Sequence, residues 1–146
     1  MLVRLAVSSF AFSFRLSTGG KLVKVLIAED EPISNLWLKN MLTRYGYEVI
    51  STRNGCEAWE VLKGCDPPGV VILDWEMPKM KGIEVCEKIR KDPRISSMYI
   101  ILITGRDLNE DIEVGFKAGA DDYLKKPFNN QKLKAKLETA RRTLGL

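Results

Sequence analysis

The amino-acid sequence predicts an α/β fold built on a parallel five-stranded sheet, and three observations lead to this expectation. Five short apolar segments alternate with five segments of helical periodicity, the pattern of repeated β–α units with right-handed crossovers. Residues 70–73 are apolar throughout, as in a strand that is buried on both faces. Four of the five apolar segments end in polar residues, and open α/β sheets bind ligands at the carboxyl ends of their strands.

Length and composition indicate one soluble globular domain. The chain has 146 residues, of which 45% are hydrophobic and 29% charged. The formal net charge of +4 comes mainly from residues 1–22, which hold Arg4, Arg15 and Lys21 and no acidic residue. The remainder is nearly neutral and has no basic stripe interleaved with aromatic residues, so no direct nucleic-acid partner is predicted. The absence of histidine excludes histidine-activated nucleophiles, histidine metal ligands and a phosphohistidine carrier.

The cysteines and the hydropathy pattern predict a cytoplasmic location without membrane association. Cys56, Cys65 and Cys86 form no C-x-x-C motif, so we expect small core or helix-surface residues in a reducing cytosol rather than zinc ligands or disulfides. No apolar run approaches transmembrane length.

Residues 1–22 differ from the rest and are treated as an extension that precedes a domain of residues 23–146. Phe10, Phe12, Phe14 and Leu16 alternate with smaller or polar residues, which is the periodicity of a strand. Three interpretations stay open: a weak secretory signal, an artefact of an upstream start, or an extra strand that pairs with a sheet edge or a second copy.

The first half of the domain reads as two β–α units. Residues 23–28 form an apolar strand, and Pro32 suits the first turn of the helix that follows. The apolar positions of that helix are Ile33, Leu36, Trp37, Met41 and Leu42. Residues 48–52 predict a short strand. Asn54 with Glu57 then predicts a capping box for a second helix, whose apolar face is Ala58, Val61 and Leu62.

The second half continues the alternation from the central strand, residues 70–73. A helix with Ile83, Val85, Cys86 and Ile89 follows, and then a strand at residues 99–103. Residues 109–118 predict a helix with Ile112 and Phe116 directed inward, and residues 122–124 predict the fifth strand. The last helix is expected over residues 129–144. Its apolar face is Leu133, Leu137, Ala140 and Leu144.

The polar strand ends predict a phosphoryl-transfer site. Glu29, Asp30 and Asp74 would meet at one sheet edge, where three carboxylates repel one another unless a cation is bound or their pKa values rise. A hard divalent ion such as Mg²⁺ suits these ligands, while the Lys126 ammonium and the Thr104 hydroxyl suit a tetrahedral anion. Taken singly, each residue has a plainer interpretation, such as a helix-terminus acid or a surface lysine. Their coincidence at four strand ends favours the site.

The segments VLIAEDEP, VVILDWEMP, KGIEVCEKIR, YIILITGR and AGADDYLKKPF resemble, in order and spacing, those of two-component response regulator receiver domains. The resemblance covers nearly the whole chain apart from residues 1–22. It implies a flavodoxin-like sheet of strand order 2-1-3-4-5 with five helices on both faces. It also implies a phosphorelay receiver that is not an enzyme in its own right and that takes a phosphoryl group from a sensor histidine kinase or phosphotransfer protein.

The resemblance further implies a role for each residue of the site. Asp74 matches the phosphoacceptor. Glu29 and Asp30, with Asp74 itself and the backbone carbonyl of Glu76, match the Mg²⁺ ligands. Lys126 matches the lysine that pairs with the phosphoryl oxygens, in a Lys-Pro peptide that is often cis in the family. Two further matches are the switch residues Thr104 and Tyr123. Output is then expected through the face of the fourth helix, fifth strand and fifth helix, with a homodimer on phosphorylation as a further expectation.

Some positions depart from the family pattern or tune it. Glu29 stands where the family more often has aspartate, so it could reach the ion through water. Glu76 and Arg106 occupy positions that set phosphate lifetime in the family, and we hypothesise that they pair across the pocket mouth. Trp75, next to the acceptor, has no role that the sequence reveals.

Three functions compete at this stage. The first is a stand-alone receiver that signals by protein contact. The second is the receiver part of a longer regulator with an enzymatic output such as a cyclic-dinucleotide cyclase or phosphodiesterase. The third is a phosphatase with an aspartyl intermediate, which is disfavoured because Asp74 and Glu76 give D-x-E where such enzymes usually have D-x-D.

Overall fold

The computed structural model describes residues 22–105 and 109–146, which form one α/β domain around a parallel sheet. The strand order is β2-β1-β3-β4-β5, and all neighbouring strands are parallel, so the predicted order 2-1-3-4-5 is confirmed. The strands are β1 (Lys24–Ala28), β2 (Glu48–Thr52), β3 (Val70–Asp74), β4 (Tyr99–Thr104) and β5 (Asp122–Lys125). The predictions for residues 1–21 and for Arg106 lie outside the described residues.

Five helices connect or follow the strands in the described part of the chain. They are α1 (Pro32–Arg44), α2 (Gly55–Leu62), α3 (Gly82–Lys91), α4 (Asn109–Ala118) and α5 (Asn130–Leu144). Asn54 caps α2 as predicted, whereas the Glu57 carboxylate bonds the N–H of the residue before the cap rather than that of the cap itself. Asn54 Oδ1 accepts the Glu57 N–H at 2.9 Å, and the Glu57 carboxylate accepts the Arg53 N–H at 2.9 Å. The α5 helix ends at Gly145, which adopts the left-handed conformation with φ of 74°.

Two hydrophobic layers cover the sheet, one on each face. The α1–α5 face buries the side chains of Leu38 and Leu42 from α1 together with Leu133 and Leu137 from α5. The opposite face buries Ala58 and Leu62 from α2 and a larger set from α3, consisting of Val85, Cys86 and Ile89. Because both faces are covered, β3 is buried along its whole length, as its continuous apolar sequence predicts.

The packing of α1 confirms Met41 and Leu42 as core-facing positions but contradicts the other three apolar positions that its sequence predicts. Ile33, Leu36 and Trp37 are 77%, 58% and 37% exposed, whereas Asn35, Leu38 and Leu42 are buried. The physical reason lies in the strand ends beneath the helix. Asn35 Nδ2 donates to backbone carbonyl oxygens at the ends of β1 and β2, so the polar residue faces the sheet and rotates the apolar trio outward.

A second correction concerns α4, where Phe116 was expected to point inward. Phe116 is 46% exposed and Ile112 is half-buried, while Gly115 is the buried position of this helix. A Cβ atom at position 115 would lie 3.1 Å from Leu102 Cδ1 and 3.2 Å from Trp75 Cζ3, so α4 packs closely against these two side chains. None of the helices in residues 22–105 and 109–146 has the length and apolar character that a bilayer crossing requires.

Candidate functional site

The register of the sheet gathers the predicted polar residues at its carboxyl edge. Ala28 pairs with Leu73, so Glu29 lies beside Asp74, and Asp74 itself pairs with Ile103. Thr104 comes next on β4 and pairs with Lys125, immediately before Lys126. Four strand ends therefore meet at this edge, as the sequence predicts.

Asp74 is a buried carboxylate with its two oxygens in different environments. The residue is 4% exposed. Its Oδ2 accepts a hydrogen bond from Lys126 Nζ at 2.6 Å, and its Oδ1 accepts the backbone N–H of Glu76 at 3.1 Å. An ionised carboxylate can be buried at a strand end when charge-assisted hydrogen bonds of this kind compensate its desolvation.

Glu29 is still more buried, at 1% exposed, and shares the same lysine. Its Oε1 accepts from Lys126 Nζ at 2.8 Å and its Oε2 from the backbone N–H of Glu31 at 3.1 Å. Burial raises the pKa of Glu29, and the adjacent Asp74 carboxyl raises it further, against the lowering effect of Lys126. The site thus holds this carboxylate at an electrostatic cost.

Lys126 bridges the two carboxylates from the end of β5. Burial lowers the pKa of Lys126, but its hydrogen bonds to Asp74 and Glu29 raise it by more, so the pKa lies above its ordinary value. The ammonium is therefore charged at neutral pH. Its backbone is fixed by an N–H that donates to the Thr104 carbonyl at 2.8 Å and by a cis peptide bond to Pro127.

The three acidic residues are close enough to share one cation. Carboxylate oxygens of Glu29, Asp30 and Asp74 all lie within 4.8 Å of one another, with Asp30 exposed at the mouth. One ammonium compensates two of these carboxylates, which leaves an excess of negative charge. Hard oxygen ligands with excess negative charge fit Mg²⁺, and the longer Glu29 side chain fits as well, because its oxygens lie within the same cluster.

Asn35 is a residue of this site that the sequence reasoning missed. It is 6% exposed and donates from Nδ2 to the Glu29 and Thr52 carbonyl oxygens, both at 2.9 Å. Its Oδ1 accepts the Ser51 hydroxyl at 2.6 Å. Asn35 therefore ties the ends of β1 and β2 to α1. The signal that could have revealed it was an asparagine, a weak helix former, inside the predicted helix.

The loop between β3 and α3 is held close to the acceptor. A Cβ atom at Gly82 would lie 2.2 Å from the Asp74 carbonyl oxygen, so only glycine allows α3 to begin there. The Gly82 N–H donates to the Trp75 carbonyl at 3.1 Å. In the same loop Lys79 adopts a positive φ of 72°. The Asp74 peptide is therefore pinned between β4 and the start of α3.

The remaining predicted residues are placed around this centre. Thr104 is 1% exposed at the last position of β4, and Tyr123 is half-buried on β5 opposite Leu102. Glu76 is exposed, two residues after the acceptor. Arg106 lies outside the described residues, so its pairing with Glu76 stays a prediction.

An apolar cavity of about 520 Å³ adjoins the charged cluster. Glu29 and Lys126 form part of its wall, and the rings of Trp37 and Phe128 meet edge to face with centroids 5.6 Å apart. The other lining residues are Ile33, Ser34, Leu38 and Pro127. The outward face of α1 thus continues directly into the site.

The family model of the response regulator receiver domain matches residues 25–138. The chain is 39% identical to chemotaxis protein CheY1 of Helicobacter pylori over 117 residues, which cover 80% of this chain and 94% of that protein. It is 39% identical over 119 residues to the Pyropia yezoensis protein named "Probable transcriptional regulator ycf27", of which the match covers 47%.

Solved structures resemble the fold over most of the chain. The chemotaxis response regulator CheY4 of Vibrio cholerae superposes with a TM-score of 0.77 at 28% identity, covering 82% of this chain and 99% of that one. The receiver domain of Francisella response regulator 1452 gives a TM-score of 0.76 at 28% identity, covering 84% and 98%.

Proposed function

The chain belongs to the response regulator receiver family, and from this premise we propose that it receives a signal as a phosphoryl group on Asp74. The single observation that carries the proposal is the shared ammonium, because Lys126 Nζ lies 2.6 Å from Asp74 Oδ2 and 2.8 Å from Glu29 Oε1. A cation held between two carboxylates at a strand end suits the charge of an incoming phosphoryl group. Receiver domains like this one are signalling domains.

In the proposed reaction a carboxylate oxygen of Asp74 attacks the phosphorus atom of a phosphohistidine on a sensor histidine kinase or phosphotransfer protein. An oxygen–phosphorus bond forms and the phosphorus–nitrogen bond of the donor breaks, with the electron pair leaving on the imidazole. Lys126 then pairs with a phosphoryl oxygen. The contribution of the chain is positioning and charge compensation, as in other phosphoryl transfers.

Glu29, Asp30 and Asp74, with the backbone carbonyl of Glu76, are the proposed Mg²⁺ ligands. When bound, the ion would supply positive charge that offsets the carboxylates and the phosphoryl oxygens together. The cluster of oxygens within 4.8 Å supports this assignment. Asp30, which is exposed, leaves that side of the site open to solvent and to the ion.

Thr104 and Tyr123 are the proposed switch. The Thr104 hydroxyl would bond a phosphoryl oxygen, and Tyr123 would turn inward into the space that Thr104 leaves. Both residues lie on neighbouring strands, with Thr104 buried and Tyr123 half-buried, which supports such an exchange. The surface of α4, β5 and α5 would then change its affinity for a downstream protein or for a second copy of the chain.

Glu76 and Arg106 are proposed to set how long the phosphoryl group survives. A pair across the pocket mouth would hinder an attacking water molecule. Substituting Arg106→Ala should therefore speed loss of the phosphoryl group, measured as the half-life of the phosphorylated mass. An unchanged half-life would contradict the proposed pairing of Glu76 with Arg106.

We propose that the phosphoryl donor contacts the apolar surface of Ile33, Leu36 and Trp37. This surface is exposed, and Ile33 and Trp37 line the cavity walled by Glu29 and Lys126, which supports contact with a donor that reaches the site. Trp37→Ala should slow transfer from a histidine kinase about tenfold, as at a buried interface aromatic, without slowing loading by acetyl phosphate. Lys39→Ala, on the same helix, is the matched control. Equal slowing with both donors would instead mean damage to the site.

The proposed function is tested by the intact mass of the full chain after incubation with Mg²⁺ and acetyl phosphate. We expect a gain of one phosphoryl group that is absent from Asp74→Asn and abolished by EDTA. A gain that persists in Asp74→Asn would place the acceptor elsewhere. No gain from folded chain would mean either a receiver fold used as a phosphorylation-independent adaptor, which overturns the proposal, or a pocket blocked by residues 1–22. Repeating the measurement on residues 23–146 decides between them, because a gain there would keep the proposal.

A second candidate is the same receiver acting within a longer regulator. The match to ycf27 covers 47% of that protein, so receivers of this similarity also occur in longer chains. A cyclic-dinucleotide cyclase or phosphodiesterase output is one form of this candidate. The complete gene, read with its neighbours, separates it from a stand-alone receiver.

A further inference from the structure

Trp75 follows Asp74 directly and is buried, at 4% exposed, although it lies just beyond the end of its strand. Its backbone N–H donates to the Ile103 carbonyl at 2.8 Å, and its own carbonyl accepts the Gly82 N–H at 3.1 Å. The first bond holds the peptide that joins Trp75 to Asp74, and the second holds the peptide that follows it. A movement of the Asp74 backbone would therefore pass directly to the backbone that carries the Trp75 ring.

The indole is seated against α4 at a position where the helix has no side chain. A Cβ atom added at Gly115 would lie 3.2 Å from Trp75 Cζ3 and 3.1 Å from Leu102 Cδ1. Glycine is a poor helix former, yet it occupies the interior of α4 at this contact. The ring and the glycine are thus complementary in shape, and the helix axis sits closer to the sheet than a larger residue would allow.

The outer side of α4 carries apolar residues next to this contact. Val114 and Phe116, on either side of Gly115 in the sequence, are 44% and 46% exposed. A packed contact transmits displacement because protein interiors are close-packed and deform little. A shift of the ring would consequently change how α4 presents Val114 and Phe116 to the surroundings.

We propose that Trp75 is a positioning residue that couples loading of Asp74 to α4 through its contact at Gly115. The coupling follows a different path from the one proposed for Thr104 and Tyr123, because it runs through the backbone of the acceptor itself. It rests on the proposed function, since it needs Asp74 to be loaded. Coupling between two sites is reciprocal, so a change at Gly115 must also alter the behaviour of loaded Asp74.

The test compares the full-length chain with Trp75→Phe and Gly115→Ala, each with Mg²⁺ and beryllofluoride as a lasting phosphoryl mimic. The readout is the change in amide NMR shifts of residues 109–118 on loading. Both variants should lose at least about half of the wild-type response, in line with the coupling changes that intervening residues produce. Trp59→Phe changes a partly buried tryptophan on α2, outside the contact with Gly115, and should respond like the wild type.

A second readout separates coupling from a merely structural role. In a Trp37→Phe, Trp59→Phe background, Trp75 is the sole tryptophan, and its fluorescence should change on loading. Adding Gly115→Ala should reduce that change at least about twofold and alter the affinity of the chain for beryllofluoride. A structural role alone would lower the unfolding midpoint of these variants and leave both readouts unchanged.

The outcomes distinguish the two proposals. If the variants gain the phosphoryl mass but α4 responds as in the wild type, the coupling is overturned while the proposed function stands. If the wild-type chain gains no phosphoryl mass, the proposed function fails and the coupling fails with it. Should Trp75→Phe unfold, Gly115→Ala, which keeps the indole, decides alone.

Discussion

The two ends of the sheet each carry a half-buried basic residue, of which one belongs to the reactive site and the other supports the fold. At the amino end, Arg90 donates from Nε to the Gly119 carbonyl at 2.8 Å and from Nη1 to the Ser96 and Met98 carbonyls at 2.7 Å. Its Nη2 donates to Asp121 Oδ2 at 2.6 Å. We call this arrangement the Arg90 clamp.

The clamp is balanced in charge and in hydrogen bonding, whereas the carboxyl edge is not. One guanidinium meets one carboxylate, and Asp121 also accepts the Ile100 N–H at 2.8 Å. At the other end, Lys126 is the one cation among the described residues that bonds Glu29 and Asp74, with the Asp30 carboxylate nearby. A folded chain maintains such an excess of like charge at the expense of stability, so uncompensated charge is the feature that marks the functional end.

The largest expected effect is on the reaction at the uncompensated end. Lys126→Ala should slow loading by acetyl phosphate about 10²–10³-fold, because one preorganised charged donor is removed from the phosphoryl oxygens. Lys125→Ala, the preceding residue, is the control and should load normally. The rate of mass gain measures both. Normal loading of Lys126→Ala would contradict the role of Lys126 in phosphoryl transfer at this end of the sheet.

Arg90→Met should lower the stability of the fold and leave the loading of Asp74 almost unchanged. Three backbone carbonyls and the Asp121 carboxylate would lose their donor, which should lower the free energy of unfolding by about 2–4 kcal/mol. Loading of Asp74 should stay within about twofold of wild type, since no clamp residue belongs to the site. Urea unfolding measures the stability, and the gain in mass measures the loading. Lys91→Met, which changes an exposed residue, is the control. A large loss of loading in folded Arg90→Met would contradict the separation of the two ends.

Asn35→Ala should lower stability, as a change in the Arg90 clamp does, although Asn35 lies at the functional edge. Asn35 is fully hydrogen-bonded like the clamp, but it supports Glu29 at the functional edge. Removing its amide leaves the Glu29 and Thr52 carbonyls without this donor and should cost about 1–3 kcal/mol in unfolding free energy. Asn40→Ala, exposed on the same helix, should cost nothing or stabilise slightly. Urea unfolding measures both variants. Equal free energies of unfolding would mean that Asn35 does not stabilise this edge of the sheet.

The smallest expected effect is a pH dependence due to Glu29. Because the pKa of Glu29 in the folded chain is raised above its ordinary value of 4.5, the folded state binds this proton more tightly. Its contribution to stability is therefore full below about pH 4.5 and is lost as the pH rises through the raised pKa. Glu29→Gln should gain stability relative to wild type over that rise, measured by urea unfolding without divalent ions. A constant difference across pH would contradict the raised pKa.

Much of the fold and site could be predicted from the sequence because the signals were local. Five apolar segments of strand length, the Asn54–Glu57 cap and the apolar face of α5 are properties of adjacent residues, and the structure confirms each of them. The sequence also predicted that Glu29, Asp74 and Lys126 lie close together, because the carboxyl ends of parallel strands share one edge of the sheet. The strand order itself came from the family resemblance.

What tertiary structure alone decided was the choice between alternatives that the sequence permits equally. The α1 sequence has two stripes that could face the sheet, and the carbonyl oxygens of Glu29 and Thr52 select the one with Asn35, which leaves Ile33, Leu36 and Trp37 outside. The position of Trp75 depended likewise on a glycine forty residues away. Periodicity identifies which residues share a face, but the buried partner of that face is set by the groups that meet it across space.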